Sequence, residues 1–461
     1  MTNSFKDSYH LMPPSRHLPG WIAILAEKDN ATMREMIERG LQGFVGDYGE
    51  TKDVMVHDGL GFGFLKPERP LPMTTWSFFS DPNYCCFVEG VFYDAYLSYQ
   101  MTDGEDEALA EKILQRFKNS DYKAIEDLNG SFCGFIFDFK HRKLSTFIDR
   151  LGAKILYWSY ENDVLIVSTS LAAFRGLRKL SLDEHAAFQF VTIGFPVGER
   201  TLLKDVRIQL PSTMNIFCGP SKESFRYWKP PERTQRIALR DAVNLISHAM
   251  EDHAGRIFAR AKQKIALGMT GGHDSRVICN SLVFSDIPFE PLVWNDGSFN
   301  DVIVRKLCSV IQKHPHVVKG VTTQEMEDIR SDVFLYTDGL HMYSHGFIRL
   351  ARECLEHDMQ ILMMGFFGDR ISGSLTVPSP QYLGNVSELS TCSLKNQMEL
   401  LTFGDACSLL TFADGDFTRE TLSEWSQSFT RESIHQSLPD IAIWQGVANR
   451  NLKRIRFSMI P

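Results

Sequence analysis

Residues 265–280 read IALGMTGGHDSRVICN, and this stretch indicates the fold of the second half of the chain. Its first five residues, Ile265 to Met269, are apolar or small and fit a buried strand. Arg276 to Leu282 can continue as a helix, and two adjacent glycines, Gly271 and Gly272, precede it. A buried strand that turns tightly into a helix predicts an α/β region built on a parallel sheet.

The bend between this strand and helix has the composition of an anion-binding site. Glycines let the backbone approach a ligand closely and adopt φ values that other residues resist, so that N–H groups converge near the positive end of the helix. Hydroxyl donors stand at Thr270 and Ser275, and Asp274 can hold Mg²⁺ against phosphate oxygens. No Lys follows the glycines, which excludes the GxxxxGK[ST] loop. A purely structural turn is the alternative, but the complete TGGxDS set favours a pyrophosphate or triphosphate site.

The residues around the bend continue the α/β pattern. Predicted strands at 289–294 and 361–364 alternate with predicted helices at 302–311 and around 348–356. An amphipathic pattern from Ala238 to about Lys262 predicts a long helix before the first strand. Such alternation is typical of a parallel sheet with flanking helices.

The first half of the chain has a different pattern. Short alternating runs between Gly20 and Phe217, such as 132–138 and 164–169, predict antiparallel strands, and a helical pattern at 105–119 interrupts them. The stretch from Gly219 to Arg236 is rich in Pro and charge and has no sustained period, as in a linker. The predicted organisation is an N-terminal extension at 1–19, an α+β domain at 20–217, a linker at 218–236 and an α/β domain at 237–461.

Composition excludes several classes of protein. The chain has 461 residues, 43% of them hydrophobic and 23% charged, which suits two or three globular domains. Lys and Arg number 49 against 57 Asp and Glu, a net charge of −8, so no basic field favours nucleic acid or an anionic membrane. Nine Cys without a CxxC pair predict neither a disulfide framework nor a structural zinc site. Without a signal-like or spanning apolar run, we expect a cytoplasmic protein.

Several motifs, taken in order, resemble one family. Thr270 to Ser275 is similar to the SGGxDS loop of the ATP pyrophosphatases, in a setting that resembles the asparagine synthetases and related amide ligases. Upstream, Asn129 to Phe132 (NGSF) and Asp149 to Tyr157 (DRLGAKILY) resemble the NGxF and RDRxGxKPLY stretches of that family. Downstream, Gly365 to Gly373 (GFFGDRISG) is similar to its GxGGDExxGG motif. The resemblance extends over nearly the whole chain.

The resemblance implies a fold for each half. The first half would be an Ntn-hydrolase-like αββα sandwich of the class II glutamine amidotransferase type. The second would be a PP-loop ATP-binding domain, a parallel sheet with flanking helices.

The resemblance also implies an activity and its cofactors, ATP and Mg²⁺. A substrate carboxylate would attack the α-phosphorus, and an amine would then attack the resulting acyl-adenylate to form an amide. Mg²⁺ would lie between Asp274 and Asp369, which with Arg370 are the candidate catalytic residues. The remaining candidate nucleotide-binding residues are Thr270, Gly271, Gly272, Ser275, Val293, Trp294 and Gly365.

The chain departs from the family in its first half. Gly20 stands where the family has the N-terminal Cys that hydrolyses glutamine, and Thr2 lies about eighteen residues too early to replace it. Glu89 and Val91 replace the Asn and Glu of the NGEIYN segment. We therefore expect an amidotransferase-like domain without glutaminase activity.

The second half departs at fewer positions. Arg370 replaces the Glu of the GGDE motif, which adds a phosphate-binding cation and makes asparagine formation itself doubtful. Arg276 is open to two interpretations, a phosphate ligand or a solvated residue of the helix face. The family also carries a lysine in a helical region that follows the GGDE motif. Whether the basic stretch 450–456 supplies that cation here stays open.

The expectation is thus an AMP-forming carboxylate–amine ligase. Its substrates would be a small-molecule or peptide carboxylate and an amine, and a homodimer is left open. A glutamine-hydrolysing asparagine synthetase and a non-catalytic nucleotide-binding pseudoenzyme are the alternatives. The sulfur-inserting tRNA enzymes share the loop, but no CxxC pair or basic surface pattern accompanies it here.

Overall fold

The structure is a computed structural model that describes the chain in segments. The described residues are 20–44, 52–66, 74–92, 108–120, 123–193, 196–229, 237–261, 264–295, 299–319, 361–365 and 415–427, with single residues and short pieces between 324 and 413.

The first half contains strands in antiparallel order and a few helices. The strands are β1 Gly20–Leu25, β2 Lys52–His57, β3 Leu60–Leu65, β4 Thr74–Ser80, β5 Tyr84–Phe92, β6 Gly130–Asp138, β7 Lys143–Ile148, β8 Tyr157–Glu161, β9 Val164–Ser168, β10 Arg207–Ile208, β11 Thr213–Cys218 and β12 Ser221–Arg226. The helices are α1 Asn30–Gln42, α2 Leu109–Ser120, α3 Lys123–Glu126 and α4 Glu184–Ile193, with a 3₁₀ turn at Leu171–Phe174.

These strands form two antiparallel sheets. One has the order β10-β8-β9-β1-β3-β2 and the other the order β12-β11-β7-β6-β5-β4. Strand β1 shows how they stack, because successive side chains of a strand point to opposite faces. Ile22 and Ile24 pack with Met33 and Ile37 of α1. Trp21, on the opposite face, packs against the second sheet.

The second sheet is covered in turn by a helix on its outer face. Ile113 and Leu114 of α2 lie in one cluster with Val88 of β5 and Ile136 of β6. The layers therefore run helix, sheet, sheet, helix. This is the four-layer order that the resemblance implied for the first half.

Aromatic rings fill the space between the two sheets. Phe62 lies 4.7 Å from Phe87 and 5.0 Å from Phe135, measured between ring centroids. Trp21 lies 5.6 Å from both Phe87 and Phe135. Aromatic pairs at such separations add roughly 0.5–1.5 kcal/mol each to the gain from burial, so this layer holds the sheets together.

The second half has a different topology. Its elements are α5 Leu239–Ala261, β13 Ile265–Met269, α6 His273–Phe284, β14 Phe289–Asn295, α7 Phe299–Val310, β15 His316–Lys319, β16 Ile361–Met364 and α8 Gly415–Gln427. The strands pair in parallel in the order β15-β14-β13-β16. Strands β13 and β16 have the bounds that the sequence pattern predicts, and β14 is one residue longer.

Both faces of the parallel sheet are covered. Leu267 and Met269 of β13 pack with Leu282 of α6 on one face. Ala266 packs with Leu350 and Cys354, from the chain before β16, on the other. The central strand β13 is buried along its whole length, as its apolar composition predicts.

The linker prediction was wrong for residues 221–226. These residues form β12, which pairs with β11 along its whole length, from Thr213 opposite Arg226 to Cys218 opposite Ser221. Gly219 has a φ of +55° and makes the turn between the two strands. An edge strand with a mostly exposed surface needs no apolar alternation, so its sequence resembles that of a loop.

Helix α5 confirms the long helix predicted from Ala238 to about Lys262. Two apolar side chains of its first half, Val243 and Ile246, are 53% and 58% exposed. Further along, Ala254 is buried and packs in the cluster beneath the parallel sheet. Within the described segments, no helix combines the length and apolarity needed to cross a bilayer.

Candidate functional site

The TGGHDS bend lies where the topology of the parallel sheet creates a crevice. From β13 the chain passes to β14 on one side, and it later returns to β16 on the other side. The strand order therefore reverses between β13 and β16, at their carboxyl ends. Ligands of open parallel sheets bind at such a switch point. Thr270 and Gly272, which follow β13 directly, are both exposed there.

Hydroxyl groups hold the bend in shape. The Thr270 N–H donates to Ser275 Oγ over 3.1 Å, and Ser275 Oγ lies 3.1 Å from the Thr270 carbonyl oxygen, which accepts its proton. The Gly272 N–H donates to Thr270 Oγ1 over 3.1 Å. Ser275 is 3% exposed. The Ser275 hydroxyl thus stabilises the bend from its buried side. Of the two hydroxyl groups predicted to bind phosphate, only that of Thr270 belongs to an exposed residue.

The glycines provide room and leave the helix start uncapped. Gly272 is the N-cap of α6 with φ −74° and ψ 163°, and no side chain caps the helix. Neither Gly271 nor Gly272 has a positive φ. The first N–H groups of a helix have no partner within the helix, so an uncapped start can donate to an anion.

Charged side chains flank this helix start. Asp274 lies in the first turn of α6 and is half-buried. Arg276 Nε donates to the Gly272 carbonyl oxygen over 3.2 Å, and Arg276 Nη2 lies 3.3 Å from His273 Nδ1. Both contacts are local to the start of α6, and the two interpretations of Arg276 stay open. His273 is exposed at the first position of the helix.

The chain after β16 meets the bend at Gly365. A Cβ atom at this position would lie 2.4 Å from the Ser275 backbone N and 2.6 Å from the Asp274 carbonyl carbon. Only glycine lets the two backbones approach so closely. Asp369 and Arg370 follow four and five residues later and lie outside the described residues.

Val293 and Trp294, the other two nucleotide-binding candidates, lie in β14. Met269 of β13 pairs with Val293, and Trp294 pairs with Val318 of β15. The Val293 side chain is 1% exposed and packs in the core on the α6 face. Val293 could therefore border a ligand only through its backbone.

In the first half, the position of the expected nucleophile is filled. A Cβ atom at Gly20 would lie 2.5 Å from Phe44 Cε1 and 2.5 Å from Thr169 Oγ1. The Thr169 hydroxyl is held there, because it accepts the N–H of Trp21 over 3.0 Å. No side chain larger than hydrogen fits at position 20 without moving these groups. Thr2 lies outside the described residues.

A buried ion pair occupies the segment where the family has NGEIYN. Lys154 Nζ lies 2.5 Å from Glu89 Oε1, and Glu89 is only 1% exposed. The buried Asp149 carboxylate orients the loop, because it accepts the N–H groups of Ala153 and Lys154, each over 2.8 Å. Sequence reasoning singled out Glu89 but missed its partner, which lies 65 residues away.

Three of the four cysteines in the first half are buried. Burial raises the pKa of Cys85 to about 12 and holds the pKa values of Cys86 and Cys133 well above the ordinary value. Only a thiolate is a good nucleophile, so these three groups are inert at neutral pH. Cys218 is exposed, but it lies at the turn between β11 and β12.

The two halves are joined by polar contacts that the sequence did not reveal. Ser170, next to Thr169, donates its hydroxyl to Asp338 Oδ1 over 2.7 Å. Arg200 Nη2 lies 2.9 Å from Glu424 Oε1 and 3.0 Å from Glu420 Oε1, both in α8. These contacts bring residues from the second half onto the first.

Comparison with known protein families matches a glutamine amidotransferase domain to residues 97–228. A curated relative, named putative asparagine synthetase [glutamine-hydrolyzing] 2, from Methanocaldococcus jannaschii, is 20% identical over 278 residues. The alignment covers 57% of this chain and 53% of the relative. The chain thus spans about half the length of the curated relative that it matches.

Two solved structures are also similar, at 12% sequence identity. One is a glutamine phosphoribosylpyrophosphate amidotransferase from B. subtilis in complex with ADP and GMP, with a TM-score of 0.32. The other is an allosteric regulatory enzyme of purine biosynthesis, with a TM-score of 0.31. Each match covers 65% of this chain and 80% of the other, and similarity this low carries no argument about the fold.

Residues 97–228 are thus similar to a glutamine amidotransferase domain. Together with the motifs of the second half, the match to a curated relative confirms the resemblance of the chain to the asparagine synthetases.

Proposed function

We propose that the protein is an ATP-dependent, AMP-forming carboxylate–amine ligase of the asparagine synthetase type without a glutaminase activity of its own. The observation that carries this proposal is the meeting of two loops at the switch point of the parallel sheet. The uncapped start of α6 supplies donors for phosphate oxygens, and the backbone of Gly365 lies against Asp274 and Ser275.

The residues at the bend fit a magnesium–nucleotide complex. Asp274 offers carboxylate oxygens, the ligands that Mg²⁺ prefers, and Asp369 would reach the same place from the loop that begins at Gly365. Arg276 lies over the bend through its contact with the Gly272 carbonyl oxygen. Charge on the departing pyrophosphate would be offset by Mg²⁺ bound at these carboxylates.

The residues at the bend have different roles in this proposal. Ser275 holds the bend rather than the substrate, because its hydroxyl is buried in contacts with Thr270. The N–H groups that open α6, with the Thr270 hydroxyl, position the triphosphate so that a substrate carboxylate can attack the α-phosphorus in line. Arg276, and Arg370 from the second loop, would neutralise phosphate oxygens.

The amide nitrogen would come from ammonia or from an amine on the substrate. Gly20 leaves no room for a nucleophilic side chain, and the buried thiols of this half stay protonated. Lys154 already pairs with Glu89 in the segment that corresponds to part of the glutamine pocket. The first half would then act as a structural platform.

The ligase proposal is tested by release of pyrophosphate. The purified chain, ATP and Mg²⁺ are incubated with a panel of amino-acid and peptide carboxylates, each with ammonia or an amine. We expect release that depends on the carboxylate, with AMP formed in equal amount. Asp274→Ala should lower the rate by about 10²-fold or more, because it removes a charged group at the transferring phosphates.

Ser281→Ala is the matched control for this assay. Ser281 lies in the same helix, and its hydroxyl donates to the Val277 carbonyl oxygen away from the bend. The Ser281→Ala variant should release pyrophosphate at the wild-type rate. If no carboxylate gives release above that of Asp274→Ala, while calorimetry still detects ATP binding, the protein is a nucleotide-binding pseudoenzyme.

The absence of glutaminase activity has its own test. With glutamine as the sole nitrogen donor, the protein should form no glutamate above the level of a heat-treated sample. Glutamate production that disappears in Thr2→Ala would show that the first half is an active amidotransferase.

A further inference from the structure

Two imidazoles converge on one carboxylate at the amino end of β15. His316 Nε2 lies 2.6 Å from Glu353 Oε1, and His357 Nε2 lies 3.5 Å from the same oxygen. The two rings are close, with 4.1 Å between centroids and 60° between their planes. All the potential ligand atoms of this cluster lie within 4.8 Å of one another.

Secondary structure brings the three side chains together. His316 and Val318 are two residues apart in β15 and so share a face of the strand. Val318 packs against Leu350 and Cys354, which precede β16. The His357 N–H donates to the Glu353 carbonyl oxygen over 3.3 Å, so these two residues lie one helical turn apart on a common face.

We propose that His316, Glu353 and His357 form a binding site for a divalent transition-metal ion such as Zn²⁺. The ligands would be the Nε2 atoms of both histidines and Oε1 of the glutamate. Two imidazoles and one carboxylate are a common protein donor set for zinc, and they leave a coordination position for water.

The two contacts with Glu353 require only a small adjustment to bind such an ion, and the ligand nitrogens of the two histidines lie within 4.8 Å of each other. Zinc–nitrogen and zinc–oxygen bonds of about 2.0–2.1 Å place the ligand atoms of a tetrahedral site roughly 3.4 Å apart. The 2.6 Å contact between His316 and Glu353 must lengthen by less than about 1 Å, and the 3.5 Å contact of His357 already has the required length.

Burial also suits a site of this kind. The side chain of Glu353 is 10% exposed, that of His316 is 30% exposed and that of His357 is 47% exposed. A nearly buried carboxylate is costly unless positive charge compensates it, and a bound divalent ion would supply that charge. The exposed His357 side leaves a path for the ion and for a bound water.

Among the described residues, the ligand set of this cluster consists of these three. Cys354 packs in the core with Leu350 and Val318, and its thiol does not belong to the cluster of converging ligand atoms. The cluster of His185 with Glu420 and Glu424 is different in kind, because Arg200 already donates to both of its carboxylates. That second cluster is an ion-pair network.

The metal site is independent of the proposed ligase chemistry. The residues that carry Glu353 and His357 pack on one face of the parallel sheet, and α6 packs on the other. Spacing in the sequence did not reveal the cluster, because His316 lies 37 residues before Glu353. Loss of the metal would not abolish nucleotide binding at the bend.

Metal titration of the full chain tests this inference. The protein, purified without a histidine tag and dialysed against a chelator, is titrated with Zn²⁺ in competition with a chromogenic chelator. We expect one equivalent to bind with a Kd of about 1 μM or lower. His357→Ala, at the most exposed position, and Glu353→Gln should each weaken binding at least tenfold, and Co²⁺ should give a visible d–d absorption band that both variants lose.

His314→Ala is the matched control, since His314 is exposed and lies two residues before His316 in the same segment. Its Kd should stay within threefold of the wild-type value. The inference is overturned if His357→Ala and Glu353→Gln bind Zn²⁺ as the wild type does. It is equally overturned if His314→Ala loses as much affinity, because binding would then be nonspecific. Circular dichroism of each variant shows that an observed loss is not unfolding.

Discussion

Gly20 opens strand β1 in a tightly packed environment. Its backbone hydrogens face the ring of Phe44 and the hydroxyl of Thr169, and that hydroxyl is held by the N–H of Trp21. The surrounding residues therefore occupy the space that a side chain at position 20 would need.

Gly20→Ala should destabilise the protein by about 1–3 kcal/mol, because the added methyl group overpacks a filled site. The measurement is urea unfolding followed by tryptophan fluorescence. Gly255→Ala, in α5 with no atom within 4 Å of the new Cβ, is the control and should be neutral or slightly stabilising. Equal stability of the Gly20→Ala variant and the wild type would contradict the packing described for position 20.

Loss of one partner of the Glu89–Lys154 pair should destabilise the protein more than loss of both partners. Lys154→Met leaves a buried carboxylate without its cation, and we expect a loss of about 3–5 kcal/mol in the free energy of unfolding. The double variant Glu89→Gln with Lys154→Met should recover part of this loss, because no charge is left uncompensated. A double-mutant cycle by chemical denaturation measures the coupling, and additive effects would rule out the interaction.

At the scale of elements, two loops of the parallel sheet must approach each other at Gly365. The clash that a Cβ atom would make there is with backbone atoms of Asp274 and Ser275, which no rotamer change can relieve. The close packing therefore depends on a glycine in the segment that leads from β16 toward Asp369.

Gly365→Ala should separate these loops and weaken ATP binding, and it should lower ligase turnover by roughly 10²-fold if the loops shift by about 1 Å. Calorimetry with ATP and the pyrophosphate assay measure the two effects. Gly268→Ala, in β13, is the control: its Cβ would meet the flexible Met364 side chain at 3.2 Å, so a smaller effect is expected. Unchanged ATP affinity in Gly365→Ala would remove Gly365 from the nucleotide site.

At the scale of the whole molecule, α8 is attached to the first half by charge. Arg200 lies between Asp183 and the two α8 carboxylates, Glu420 and Glu424. Burial acts to lower the pKa of Arg200, but its contacts with Glu424 and Asp183 outweigh burial and raise it. His185 adds a stacked contact with Phe417 of α8, with 5.2 Å between ring centroids.

Arg200→Ala should loosen α8 without unfolding the sheets, because it removes the cation shared by three carboxylates. We expect lower hydrogen-exchange protection of residues 415–427 and a loss of about 1–3 kcal/mol in the stability of this contact. Protection of β1 and β6 should not change. Arg256→Ala, which breaks an exposed pair with Asp252 in α5, should cost less than about 0.5 kcal/mol and serves as the control.

Local sequence determined much of the fold, because local residues carry its physical signals. Apolar runs of five and four residues predicted β13 and β16 with their observed bounds, and the glycines between strand and helix predicted the bend. That Gly20 replaces the N-terminal Cys of the family follows from the resemblance and stays a prediction. Strand-like alternation in the first half predicted antiparallel sheets, although not the order of their strands.

Only the tertiary structure decided what these elements contact. Strand β12 exists because β11 offers it an edge, and its own polar sequence gives no sign of a strand. The Glu89–Lys154 pair and the cluster around Glu353 join residues 65 and 37 positions apart. Such contacts depend on how the chain is brought together in space, and a periodicity that repeats every two to four residues contains no information about them.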